Sequence, residues 1–266
     1  MSEQLPTYFI SHGGGPWPWL PQMRRRFAAL ETSLARMPEE IGRRPSAVLM
    51  ISGHWEESDA YAVMSSARPP MVYDYSGFPP ETYEITYPAP GAPDLAQRTA
   101  TLIADAGLPA RLDAEQGFDH GTFAPMAVIY PDADMPTFQV SLRSHYDPAE
   151  HLALGRALAP LRQEGVLIVG SGLSYHNLRL MGREGEVPSA EFDAWLDATL
   201  SLEPQARNKA LLEWESAPYA RVCHAQEDHL VPLFVAVGAA DDAPATRVYH
   251  ETQFFGALTA SSYRFG

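Results

Sequence analysis

Short, unbroken apolar runs alternate along the chain with longer stretches of helical period. Thr7–Ile10, Ala47–Ser52 (AVLMIS), Tyr61–Met64, Thr137–Leu142 and Val166–Gly170 (VLIVG) are too short for buried helices, so they predict buried strands. Val248–Glu251 is a weaker strand candidate. Between these runs, Gln22–Met37 places Phe27, Leu30, Leu34 and Met37 on one helical face. Asp94 after Pro93 predicts a capped helix that runs to Ala106 and stops at Gly107. Asp147 with Pro148 starts another, which Gly165 closes and Pro160 kinks or ends early. Ser189 is placed to cap Ala190–Leu200, and Pro204–Glu213 and Glu227–Val237 complete the helices.

Strands alternating with helices predict an α/β fold, a three-layer αβα domain around a mixed or largely parallel central sheet. No repeat or low-complexity linker divides the chain, so residues 1–266 are expected to form one catalytic domain. One stretch departs from the pattern. Residues 69–93, PPMVYDYSGFPPETYEITYPAPGAP, are rich in Tyr and Pro with little helical period. A long irregular excursion of this kind either walls or covers a site, or simply caps the core.

Composition narrows the function. The 266 residues are 45 % hydrophobic and 20 % charged, which excludes a disordered chain. The formal charge of −14 argues against a nucleic-acid partner, and the longest basic run, Arg24–Arg25–Arg26, reads as a solvated helix face. No apolar run reaches the roughly 18 residues of a membrane helix, and the N-terminus lacks a secretory pattern. A single cysteine, Cys223, suits a reducing compartment. A cytoplasmic protein is expected, and assembly into a homo-oligomer stays open.

The chemistry lies in the histidines. His12 follows the first strand in ISHGGGP and His54 the second in ISGHWE. His120 lies in FDHGTFAP, His176 follows the VLIVG strand in GSGLSYHN, and His229 opens an apolar segment in EDHLVPL. In α/β sheets, reactive groups gather in the loops past strand ends, and adjacent strands can bring such imidazoles to one point. Glycines 13, 14, 15 and 53 would let the backbone approach a ligand closely. The triple glycine lacks both the dinucleotide fingerprint spacing and a P-loop Lys-Ser/Thr. Gly170-Ser171-Gly172 is not a nucleophile elbow, and Cys223 beside His224 is an unpromising thiolate pair.

Read together, SHGGGP, SGHWE, YSGFPPETYEITYPAPG, FDHGTFAPM, GSGLSYHNL and EDHLVPL resemble the class III extradiol ring-cleaving dioxygenases, in the DOPA-dioxygenase-like branch. They occur in family order from residue 11 to 233. The resemblance implies a mononuclear metal centre, with iron(II) expected as the active metal and zinc as the alternative. By motif, His12, His54 and His229 match the metal ligands, with Glu227 a second choice for the third. His176 matches the acid–base histidine, or a fourth ligand where zinc is bound, and His120 matches a further histidine beside the substrate. The implied partners are a small aromatic diol and O2.

The residue types suit that chemistry. Neutral imidazole serves iron and zinc alike. Three ligands on an octahedral ion leave two positions for a chelating catecholate and one for a gas molecule. A zinc hydrolase on the same face and a non-enzymatic metal-binding protein are the competing readings. His224 could orient a ligand or sit in a surface loop. His145, His151 and His250 occupy turn, helix-start and strand positions with no reason to converge.

Overall fold

The computed structural model describes residues 4–266. In chain order it contains β1 (Thr7–Ser11), α1 (Pro21–Arg26), α2 (Ala28–Ile41), β2 (Ala47–Ser52), β3 (Glu56–Glu57), β4 (Tyr61–Met64), α3 (Pro93–Asp105), β5 (Ala110–Asp113), α4 (His120–Ile129), β6 (Thr137–Gln139), β7 (Leu142–Arg143), α5 (Pro148–Leu158), α6 (Pro160–Gln163), β8 (Val166–Gly172), α7 (Glu186–Leu200), α8 (Pro204–Leu212), α9 (Ala220–Cys223), α10 (Val231–Ala240), β9 (Ala245–Phe254) and β10 (Leu258–Phe265).

Six strands form one mixed sheet in the order β6-β2-β8-β1-β10-β9. The first four are parallel; β10 and β9 add an antiparallel hairpin at one edge. Strands β1, β2 and β8 are buried at every position, as covering both faces of a sheet requires. Alternation along β8 assigns the layers. A Cβ on Gly170 would meet Pro232 O beside α10, whereas the Ser171 hydroxyl donates to Gly121 O in α4. Consecutive strand residues point to opposite faces, so α10 and α4 lie on opposite sides of the sheet. This is the αβα architecture expected.

Several boundaries differ from the sequence reading, each for a local reason. The helix expected over Gln22–Met37 breaks at Phe27, whose side chain is fully buried, and resumes to Ile41. Asp94 stands inside the first turn of α3 behind Pro93 instead of capping it. Asp147 does cap α5, accepting from Glu150 N, and Pro160 does end it. Ser189 lies inside α7, because the helix begins at Glu186 and the buried hydroxyl donates to Glu186 O. The segment from Glu227 opens with a turn, and α10 starts only at Val231, so His229 precedes the helix. Thr137–Leu142 splits into β6 and β7, which join different sheets. Val248–Glu251 is the middle of the longer β9, and its partner β10 went unread.

The Tyr- and Pro-rich excursion is irregular, as expected, apart from one helical turn at Pro80–Tyr83. It is closed by its own phenols: Tyr73 Oη donates to Ile85 O at 2.7 Å and Tyr75 Oη to Thr82 O at 2.6 Å. Tyr87 Oη donates to Tyr130 O and ties its far end to the body of the domain. Arg24, Arg25 and Arg26 are exposed on α1, as read. Among the described residues, no helix is long and apolar enough to cross a membrane.

Candidate metal centre

The carboxyl ends of β1, β2 and β8 lie side by side, with Ser11 opposite Gly172 and Ser52 opposite Ser171. His12 leaves β1 directly and His54 leaves β2 one residue past Gly53. His229 arrives in the turn before α10. Its backbone crosses the sheet end so closely that a Cβ on Gly172 would sit 2.0 Å from His229 O, and one on Gly53 would sit 2.9 Å from Asp228 O. Gly53 is therefore required by backbone packing, not by a ligand as the sequence suggested.

The three imidazoles meet through Nε2. His54 Nε2 lies 3.3 Å from His12 Nε2 and 3.1 Å from His229 Nε2. Each ring turns Nδ1 outward to an acceptor. His12 Nδ1 faces Ser171 Oγ at 3.2 Å, His54 Nδ1 faces Asp74 Oδ2 at 3.2 Å and His229 Nδ1 faces Asp228 Oδ2 at 2.8 Å. The Ser171 hydroxyl already donates to Gly121 O, so it accepts from His12. These partners assign the protons to Nδ1 and leave three Nε2 lone pairs converging. Burial first, and the neighbouring imidazoles second, lower the basicity of His12 and His54 well below that of free histidine. Burial likewise takes His229 to about 4, against the opposing pull of Asp228. All three are neutral donors at neutral pH.

Converging lone pairs repel unless a cation lies between them. Metal–nitrogen bonds of about 2.1 Å place cis ligand nitrogens roughly 3.0–3.4 Å apart, depending on coordination number. The observed 3.1 and 3.3 Å fall inside that window, so the donor set fits a divalent ion. It does not choose between iron and zinc.

Two further histidines stand against this triad, each facing a carboxylate that also faces a triad histidine. Asp74 Oδ1 accepts from His120 Nδ1 at 2.9 Å and from His120 N at 3.0 Å, while its Oδ2 faces His54. Asp228 Oδ2 holds His229, while its Oδ1 lies 3.7 Å from His176 Nδ1, too long for a hydrogen bond. His176 stacks on the His229 ring at 3.4 Å between centroids and is not among the three histidines whose ligand atoms converge, His12, His54 and His229. Burial raises the Asp228 carboxyl, but His176 and His229 outweigh it and hold it well below the usual range.

Deeper groups set these positions. Asp119 caps α4 by accepting from Thr122 N, and it also accepts from Ser52 Oγ and Gln139 Nε2. That places His120 at the first residue of the helix. Burial pushes the Asp119 carboxyl up to about 6. Gly121 packs without room for a Cβ, which would meet Ser52 Oγ at 2.3 Å and His54 Cδ2 at 2.9 Å. His224 is fully buried; its Nε2 faces Ser174 O, and its stretch of backbone bridges that of His176, so it is no surface residue.

Two other candidates fall away. Glu227 accepts from Arg221 at 2.8 Å and is not among the groups converging on the centre. Cys223 is buried, donates to Pro188 O, and burial pushes its thiol up to about 12, which ends the thiolate reading. His145, His151 and His250 stand apart from the cluster, although His151 is buried, accepting from Arg143 N and facing Asp147 O. The sequence reading missed Asp74 and Asp228. The one available signal was adjacency: Asp228 precedes His229 of the triad, and Asp74 sits between two tyrosines of the excursion.

The cluster opens into a cavity of about 560 Å³. Its inner wall is the five histidines with Asp74 and Asp228; Gly13–Gly15, Tyr75, Phe78, Met181 and Phe255 are among the residues of the outer wall. Such a volume suits a small aromatic molecule.

A family model described as the catalytic LigB subunit of aromatic ring-opening dioxygenase matches residues 8–266. The chain is 36 % identical over 264 residues to a protein of Beta vulgaris named 4,5-DOPA dioxygenase extradiol, covering 97 % of this chain and 96 % of that one. A protein of the same name from Escherichia coli is 32 % identical over 274 residues, covering 100 % and 96 %. Among solved structures, an uncharacterised protein from Escherichia coli K12 superposes with a TM-score of 0.79 at 29 % identity, covering 99 % of this chain and all of that one.

Proposed function

This chain belongs to the LigB family of catalytic subunits of aromatic ring-opening dioxygenases, and from that premise we propose that iron(II) is its working ion and that five histidines divide the labour. It is a metal-dependent extradiol dioxygenase that opens a catechol-type ring with O2. Relatives named for 4,5-DOPA point to substituted catechols as the substrate class.

His12, His54 and His229 hold the ion; the observation that carries this is the convergence of their three Nε2 atoms with every Nδ1 turned outward. Iron(II), when bound, supplies the redox-active centre that a reaction with dioxygen requires, which zinc cannot. His176 acts as the acid–base group. Its Nδ1 faces Asp228, which leaves Nε2 as the nitrogen that takes a proton from the diol and returns one to the opening ring. His120 is pinned at Nδ1 by Asp74, and its Nε2 hydrogen-bonds the substrate. The aromatic outer wall excludes water from the reacting ring and stacks against it.

The test is a pair of variants loaded anaerobically with iron(II), with metal content, oxygen uptake and product absorbance recorded together. His229→Ala is expected to bind less than stoichiometric iron. His176→Ala is expected to keep its iron and lose about 10²–10⁴-fold in turnover. An iron-free His176→Ala would make that residue a ligand and overturn the division of roles.

A further inference from the structure

The loop that leaves His12 holds more hydrogen-bond donors than the protein uses. φ is +83° at Gly13 and +52° at Gly15, and Gly14 between them stays out of the left-handed region. Alternating hand along successive residues gathers their backbone N–H groups around one concavity, the form of an anion nest. Among the described residues, none accepts from the N–H of Gly13, Gly14 or Gly15. Yet Gly13 and Gly15 are buried, and a buried N–H without an acceptor is rare. All three glycines line the metal-facing cavity, so the acceptor that completes them enters through it.

Three aromatic rings pack on this loop. A Cβ on Gly13 would sit 2.5 Å from Trp17 Nε1, one on Gly14 3.2 Å from Phe255 Cζ, and one on Gly15 2.7 Å from Phe78 Cε2. The rings keep their face of the loop dry, which strengthens a hydrogen bond made there. Competing donors are few. Trp17 Nε1 donates to His12 O at 2.8 Å, and Tyr75 Oη is spent on Thr82 O. Among the described residues lining the cavity none is Lys or Arg, and Ser76 supplies its one other hydroxyl.

Resting on the ring-opening reading above, we propose that the backbone of Gly13–Gly15 is a carboxylate subsite, which holds an acidic group carried on the substituent of the catechol ring. Gly13 follows His12 directly, so the loop and the triad share one wall of the cavity. The charges of Asp74 and Asp228 are offset by a divalent ion at the triad, so the inner cluster does not repel an incoming anion. A carboxylate leaving water needs replacement hydrogen bonds. Successive N–H groups give them in charge-assisted form without a cationic side chain. An alkyl substituent leaves the same N–H groups unpaired, and an ester offers them only a neutral oxygen.

The test uses three catechols of matched size: 3-(3,4-dihydroxyphenyl)propionate, its methyl ester and 4-propylcatechol. With iron-loaded protein at pH 7.5, kcat/KM for the acid should exceed that for the other two at least tenfold, through KM and not kcat. Zinc-loaded, nitrogen-15-labelled protein binds without turnover, and the amide protons of Gly13–Gly15 should move downfield with the acid but not with the ester. Gly14→Pro removes one N–H and should abolish the advantage of the acid, whereas Gly14→Ala keeps the N–H and should retain it, both with iron content unchanged. Should Gly14→Pro fail to take up iron, the amide shifts decide alone. Equal kcat/KM for acid and ester, or amide shifts common to both, overturns the subsite and leaves ring opening intact. Loss of the advantage in Ser76→Ala instead of Gly14→Pro places the carboxylate on that hydroxyl and also overturns it. No oxygen uptake with any of the three defeats the ring-opening reading, whatever the amides report.

Discussion

Two carboxylates join the same metal-facing cluster from opposite kinds of structure. Asp228 and its partner His229 stand on backbone that the sheet itself clamps: Gly53 and Gly172 leave no space for even a methyl group beneath them. Asp74 comes from an excursion with no regular structure beyond one helical turn, which holds itself together through its own tyrosines. Yet each carboxylate faces one triad histidine and one histidine outside the triad, and both side chains are 18 % exposed. Equivalent chemistry is held in one case by backbone packing and in the other by side-chain hydrogen bonds. The fixed arm suits the metal, whose affinity depends on ligand position. The loop arm also carries Tyr75 and Phe78 of the outer wall, so the substrate pocket can change without moving the ligands.

The harshest way to break this comparison is Gly172→Ala. Its Cβ would overlap His229 O, a backbone atom with no rotamer to yield, so the fixed arm must shift as a whole. Overpacking of this kind costs about 1–3 kcal/mol or more. The expected result is loss of bound iron and of all oxygen uptake, measured by metal analysis and an oxygen electrode. A variant with full metal content would show that the arm is not rigid.

Next in size come Asp228→Asn and Asp74→Asn, which keep shape and remove charge. Removing a group that orients a ligand histidine lowers metal affinity by about 10–100-fold. The 2.8 Å contact to His229 should place Asp228→Asn at the upper end for iron affinity. Asp74 faces its triad histidine, His54, at 3.2 Å but grips His120 through two bonds, so Asp74→Asn should lose more in kcat than in iron affinity. The reverse ranking would dissolve the distinction between the arms.

How much of this was legible beforehand follows the same division. The strands and the histidines past their ends were readable, because buried parallel strands leave unbroken apolar runs and glycines mark the crowded exits. The αβα architecture and the family motifs followed, and family membership removes the hydrolase and non-enzymatic readings. Strand β10 was hidden because Ser261 and Ser262 interrupt its apolar run. Inside the core those serines are satisfied; Ser262 Oγ accepts from Ser11 N across the sheet. Asp74 and Asp228 were hidden because a carboxylate that orients histidines obeys no spacing rule. Phe255 was hidden because its position depends on a hairpin whose second strand was itself unread.

A smaller effect separates the arms by pH. His224 lies beneath the fixed arm, fully buried, with Nδ1 unpartnered, and burial lowers it to about 3. Unfolded, it titrates near 6.5. Its folded value is the lower one, so the unfolded state takes up the proton first and stability falls as pH drops through 6.5 toward 3. At pH 5 that is about 2 kcal/mol relative to neutral pH. His224→Gln, which can still donate to Ser174 O, should flatten the fall in urea stability between pH 7.5 and 5 by about that amount. Parallel curves for variant and parent would remove His224 as an acid-sensitive support.

The mildest change tests the loop arm alone. Gly77 lies three residues past Asp74 with φ +80°, and a Cβ built there meets nothing within 4 Å. Alanine at that position creates no clash, so its whole cost is the left-handed backbone, about 1–2 kcal/mol if the turn keeps its shape. A turn held only by its own side chains has a second option: it can relax, shift Phe78, which lies next in sequence, and leave the histidines alone. Gly77→Ala should therefore keep full iron content and most turnover of unsubstituted catechol. It should raise KM for a propyl-substituted catechol a few-fold, because the ring of Phe78 forms part of the wall that a substituent meets. Loss of iron in this variant would mean that the excursion bears on the ligands through Asp74 and His54, and the two arms would then be one mechanical unit.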